Sequence, residues 1–175
     1  MKKNISILIV LITGYGFACM CPPILRLAEK QKSEIEHSEC ILIGEVVEVN
    51  NEDYTYKIKV VESLDGGDEI GNVYLGKNWK GCEPFIEEKG KWIIYGYIED
   101  GYLRTIMCGL SRSFENPSLN HIPPIPDNYE KLSEKEKNKL FKNFQEETKK
   151  MAKADLELEI NALRKRRDEN SNASK

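Results

Sequence analysis

Five cysteines, Cys19, Cys21, Cys40, Cys82 and Cys108, carry most of the chemistry open to this chain. Their spacing suits no zinc site of the protein's own, because His37 and His121 are isolated. Nor is there a nucleophile motif: Ser, His and Asp residues are scattered, and the many carboxylates read as a solvated face. An enzyme is therefore the least expected class, and no cofactor is expected. In an exported chain the cysteines form a disulfide framework with one left over. Cys40 heads the apolar run Cys40-Ile41-Leu42-Ile43, where a thiol passes as a small buried hydrophobe and stays free. Cys82 lies in a loop before one strand and Cys108 closes the last strand. The economical arrangement ties the Cys19-Met20-Cys21 terminus to those two points. On the chain-entropy account each such loop, longer than about sixty residues, gives a bond worth roughly 4 kcal/mol. Spacing alone does not say which leading cysteine takes which mate.

The first residues supply the export that this framework needs. Met1-Lys2-Lys3 is a basic start, and Ile5-Ser6-Ile7-Leu8-Ile9-Val10-Leu11-Ile12 is an apolar run. It is too short to cross a bilayer, which takes about 20 apolar residues. Gly16 and Ala18 then give a small-x-small ending directly before Cys19, the layout of a signal peptide over residues 1–18. The expected location is secreted or in the cell envelope. A lipid-anchored Cys19 is the competing outcome, although Gly16 and Phe17 match a bacterial lipoprotein signal poorly. Membrane attachment is expected only if Cys19 is lipidated. The 175 residues hold 26 Lys+Arg against 29 Asp+Glu, a net charge of -3, which argues against a nucleic-acid partner.

The elements that must position the cysteines follow from periodicity. Pro22-Pro23 and the apolar spacing after them predict a short helix over residues 24–37. Strands are predicted over 41–49, 54–62, 72–76, 91–98 and 102–108. Residues 54–62 alternate Tyr54, Tyr56, Ile58 and Val60 with Thr55, Lys57 and Lys59, a strand with one wet face. Asp100-Gly101 between the last two strands predicts a hairpin. Five strands at close spacing point to a mainly β chain, a compact and mostly antiparallel barrel. Pro117, Pro123, Pro124 and Pro126 mark a linker over 115–127 after a domain of 19–114. Ser133 with Glu136 then opens a long amphipathic helix within 128–170. Phe141, Phe144, Thr148, Met151, Asp155, Leu158 and Ala162 form one stripe on it, and Leu156, Ile160 and Leu163 a neighbouring one. Thr148 and Asp155 spoil a coiled-coil seam, so the helix is expected to dock on the barrel or on another protein.

A mature chain that begins Cys19-Met20-Cys21-Pro22-Pro23 resembles the tissue inhibitors of metalloproteinases and the wider netrin-type module, which begin Cys-x-Cys. Ile43-Gly44-Glu45-Val46, Gly90-Lys91-Trp92-Ile93-Ile94-Tyr95 and Cys108-Gly109-Leu110-Ser111-Arg112-Ser113 are similar to three further motifs of that module. The resemblance covers about residues 19–114 and implies a five-stranded OB-type barrel. It also implies the pairs Cys19–Cys82 and Cys21–Cys108. It further implies a zinc metalloprotease as partner. The free amine and carbonyl of Cys19 would chelate the target's zinc, whose open position normally holds water. Such an amine has a reference pKa of about 8, so it loses its proton at little expense near neutrality. Met20, Cys21 and Pro22 would complete the inhibitory ridge, with Met20 in the protease's first primed-side pocket. Lys77, Asn78, Trp79, Lys80 and Gly81 would flank it, Trp79 as an aromatic contact. The chain departs from the animal inhibitors in lacking a third bond and a second disulfide-rich domain, and in its helical extension. The alternative is an envelope-associated binding or scaffold module whose Cys-x-Cys is only a staple. A glycan-binding barrel is a third and weaker option.

Overall fold

The computed structural model describes residues 21, 26–78, 85–117 and 126–173. In chain order these form α1 (Leu27–His37), β1 (Cys40–Asn50), β2 (Thr55–Ser63), β3 (Val73–Lys77), β4 (Gly90–Glu99), β5 (Tyr102–Thr105) and β6 (Arg112–Ser113). A single 3-10 turn (Tyr129–Lys131) then leads into α2 (Glu134–Ala173). The expected signal segment, residues 22–25 and most of the expected linker lie outside the described residues.

The strands follow the order β1-β2-β3-β5-β4, and β4 returns to pair with β1, closing a five-stranded, OB-fold-like barrel. β6 is a short extra strand on β4 that the sequence pattern did not suggest. The barrel is mostly antiparallel, as expected, with one exception: β3 and β5 run parallel. Closure forces this. Every other neighbouring pair in the ring is antiparallel, and direction cannot alternate around an odd number of strands. The last predicted strand is also shorter than expected. β5 stops at Thr105, and Cys108 sits in the following turn with φ 52°. The hairpin between β4 and β5 uses Asp100 (φ 52°) and Gly101 (φ 79°), the left-handed pair that a two-residue turn of this type requires.

β1 and β4 alternate between two cores. Cys40, Leu42, Val46, Trp92 and Ile94 point into the barrel and meet Tyr56, Ile58, Val60, Ile86 and Leu103. Ile41, Ile43, Ile93 and Tyr95 point outward and are covered by Leu156, Ile160 and Leu163 of α2, with Leu27 and Ile35 of α1 at the margin. Burial on both faces explains why these strands read as continuous apolar runs. Inside, backbone must come close to side chains. A Cβ on Gly76 would lie 2.1 Å from the Tyr56 ring, and one on Gly44 would lie 2.5 Å from Ile58. Gly44 also adjoins a register shift between β1 and β2, where the strand bends around the barrel.

α2 starts with the expected capping box: Ser133 N–H donates to Glu136 Oε2 (2.8 Å), and Glu136 N–H to Ser133 Oγ (3.4 Å). The helix docks on the barrel through the second of its two stripes, Leu156, Ile160 and Leu163, together with Ala152. On the other stripe Met151 and Leu158 are 60% and 69% exposed. Phe141 is 60% exposed as well.

Candidate functional site

The turn after β5 is the anchor of the N-terminal segment. Gly109 N–H donates to the Ile106 carbonyl (2.9 Å), folding residues 106–109 back on themselves. Cys108 in this turn is bonded to Cys21, with their Cα atoms 5.3 Å apart across 87 residues of sequence. Closing so long a loop is worth roughly 4.5 kcal/mol on the chain-entropy account. Glu34, buried on α1, reaches into the same turn: its Oε2 accepts from Leu110 N–H (3.3 Å), and its Oε1 pairs with Lys30 Nζ (2.8 Å). A Cβ on Gly109 would sit 2.7 Å from Glu34 Oε2, so glycine is what lets the carboxylate approach. Cys21 and α1 are therefore fastened to one turn by a covalent bond and a buried acceptor.

The parallel β3–β5 pair brings a second segment to the same end of the barrel. Gly76 lies opposite Leu103, and both strands run onward in the same direction. Lys77 and Asn78 thus emerge beside the turn that holds Cys108. Lys77 Nζ lies 5.1 Å from the centre of the Tyr102 ring, and its carbonyl accepts from Arg104 Nη1 (2.8 Å). Asn78 corrects the expectation of an outward-facing flank. It is buried, its Nδ2 donates to the Ile86 carbonyl (2.9 Å), and its Oδ1 accepts from Ile86 N–H (3.0 Å). The side-chain amide mimics a peptide pairing and clamps together the two ends of the segment between them. Trp79, Lys80, Gly81 and Cys82 belong to that segment and lie outside the described residues, as do Cys19, Met20 and Pro22. The pair Cys19–Cys82 falls outside them too. Cys40 is unpaired and buried in the barrel, and that burial pushes its thiol up to about 12, which makes it inert.

A buried polar network lies directly behind the anchor. Arg112, four residues after Cys108, forks onto Glu159 of α2 (Nη2–Oε2 2.5 Å, Nη1–Oε1 3.4 Å). Its Nη1 also donates to the Leu110 carbonyl (2.7 Å). Tyr95 Oη donates to Glu159 Oε1 (2.6 Å), and Gln31 Nε2 of α1 donates to the Glu159 carbonyl (3.3 Å). Burial, followed by the neighbouring Glu159 charge, raises the Tyr95 phenol far above its ordinary value, so it stays a donor. Glu34 and Glu159 were missed by the sequence reading. The available signal was a charged residue at a core position: Glu159 lies within the Leu156, Ile160, Leu163 stripe.

A cleft of about 360 Å³ opens between α2 and the outer barrel face, lined by Ile43, Glu62, Lys91, Phe114 and Arg164 among others. Arg164 forks onto Glu62 there (2.6 and 2.8 Å), so those two charges are engaged with one another. Among the described residues no group of three or more His, Cys, Asp or Glu could hold a metal ion. No described helix is long and apolar enough to cross a membrane. No family model matches the chain and no curated protein matches it.

Proposed function

We propose that this chain is an exported netrin-type module, similar to the tissue inhibitors of metalloproteinases, whose mature terminus caps the zinc of a metalloendopeptidase. It performs no catalysis of its own. After cleavage before Cys19, the α-amino group and carbonyl of that residue form a bidentate N,O chelator two residues ahead of a fixed point. The observation that carries the reading is the Cys21–Cys108 bond, which fastens the third residue of the expected mature chain to a turn at the barrel's end. Holding the chelator in place beforehand lowers the ordering cost of binding. The convergence of β3 and β5 at the same end supports loop residues 79–81 as flanking contacts.

The test is mature protein with one alanine added before Cys19, assayed against a panel of purified zinc metalloendopeptidases. Inhibition by the native terminus should weaken at least about a hundredfold in the extended form, because the amine no longer reaches the metal. Equal inhibition by both forms rejects chelation. The mass of the mature N-terminal peptide supplies a separate check, since a diacylglyceryl group on Cys19 removes both the amine and the thiol.

A second reading, an envelope-associated scaffold, is favoured by one feature: the exposed Phe141, Met151 and Leu158 on α2. It predicts a stable protein partner lost on Met151→Glu and unaffected by extension at Cys19.

A further inference from the structure

We infer that α2 is a positioning element for the N-terminal anchor, acting through Glu159 and Arg112 on the Leu110 peptide. Its functional consequence rests on the chelation reading above; its structural part does not.

Both backbone polar groups of Leu110 are held. Its N–H is taken by Glu34 of α1 (3.3 Å), and its carbonyl by Arg112 Nη1 (2.7 Å). Arg112 is free to hold that carbonyl because Glu159 fixes the guanidinium from the other side, with a 2.5 Å contact to Nη2. Glu159 is in turn fixed by Tyr95 Oη (2.6 Å) and, through its carbonyl, by Gln31 (3.3 Å). Cys108 stands two residues before Leu110, inside the same turn. The path from α2 to Leu110 therefore runs through two consecutive hydrogen bonds between buried groups, each stronger than in water, and two residues of backbone then lead to Cys108. An uncharged residue at 159 leaves Arg112 as a buried cation that must seek another acceptor, and the turn loses one of its two supports.

A second ion pair between α2 and the barrel separates positioning from mere docking. Arg164 and Arg167 bind Glu62 of β2, which makes no hydrogen bond to this turn, at 2.6 and 3.1 Å. Breaking that pair loosens the helix without touching Leu110.

The experiment compares wild type, Glu159→Gln and Glu62→Gln as full mature chains well below their unfolding temperatures. The first measurement is the rate at which dithiothreitol exposes Cys108 to alkylation, read by mass spectrometry of its peptide. The second is inhibition of a zinc metalloendopeptidase. Glu159→Gln should speed reduction and weaken inhibition by about tenfold each, with Glu62→Gln within about twofold of wild type in both. Equal acceleration by both variants, or by neither, overturns the inference. Should Glu159→Gln not fold, Arg112→Lys, which keeps the charge but loses the fork, should accelerate reduction in the same direction; an unchanged rate there also overturns it. Absence of inhibition by wild type would reject the chelation reading alone, and the reduction rates would still decide the role of α2.

Discussion

The inside of the barrel and the seam between barrel and α2 are two cores built on the same two strands, yet they are held in different ways. The inner core is filled by apolar side chains such as Leu42, Tyr56, Ile58 and Leu103 and depends on shape, with Gly76 and Gly44 making room for Tyr56 and Ile58. The seam combines Ile43, Ile93 and Leu110 with a buried ion pair and a buried phenol. A closed barrel fixes its own geometry through strand pairing, so apolar filling is enough. A helix lying on a sheet can slide or rotate by one stripe at little loss of apolar contact. α2 carries two adjacent stripes that could each have been buried. The Glu159–Arg112 pair selects one of them, since any other register leaves Arg112 without a counter-charge.

The sharpest way to break this contrast is at that pair. Glu159→Leu alone should destabilise the protein by about 3–5 kcal/mol, because it strands a buried guanidinium. Adding Arg112→Met should recover most of the loss while leaving the helix free to choose its stripe. Denaturant midpoints measure the first effect, and hydrogen exchange along α2 measures the second. A double variant as unstable as the single one would show that the pair contributes stability rather than register.

Truncation in each core comes next. Leu103→Ala, inside the ring, should cost about 3–4 kcal/mol, since paired strands cannot collapse around the cavity. Leu156→Ala, on the seam, should cost about 2–3 kcal/mol, because the helix can settle inward. The reverse order in denaturant midpoints would mean that the seam is the more rigid of the two.

The smallest effect belongs to Glu62 at the cleft. Its hydrogen bond from Arg164 holds its carboxyl below the ordinary glutamate range. With a depressed folded pKa, its contribution is present at neutral pH and is lost as pH falls through that depressed value. The partners are partly solvated, so the contribution is below about 1 kcal/mol. Glu62→Gln should remove this part of the acid-induced loss of stability in thermal melts between neutral pH and the acid range. An unchanged pH profile would show that the pair contributes nothing.

The local features were legible because they depend on near neighbours. Asp100-Gly101 accepts positive φ, Ser133 and Glu136 cap reciprocally, and the alternation in β2 shows one wet face. The parallel β3–β5 contact was not legible, since it follows from closing a ring of five. The shortening of β5 and the inward turn of Asn78 belong with it: Cys108 and Ile86 draw those residues out of the regular pattern. Glu159 looked like one more solvated carboxylate on a charged helix. Its partners Tyr95 and Arg112 lie 64 and 47 residues away, beyond any periodicity.

Residue order alone thus located α1, β1 to β5 and α2 and marked Cys40 as a core residue, because backbone preference and side-chain polarity act over a few residues. Packing settled the rest: which stripe of α2 is buried, and which groups hold the Cys108 turn. Those outcomes depend on desolvated charges meeting across the fold, and a charge acquires its partner only once distant segments have come together.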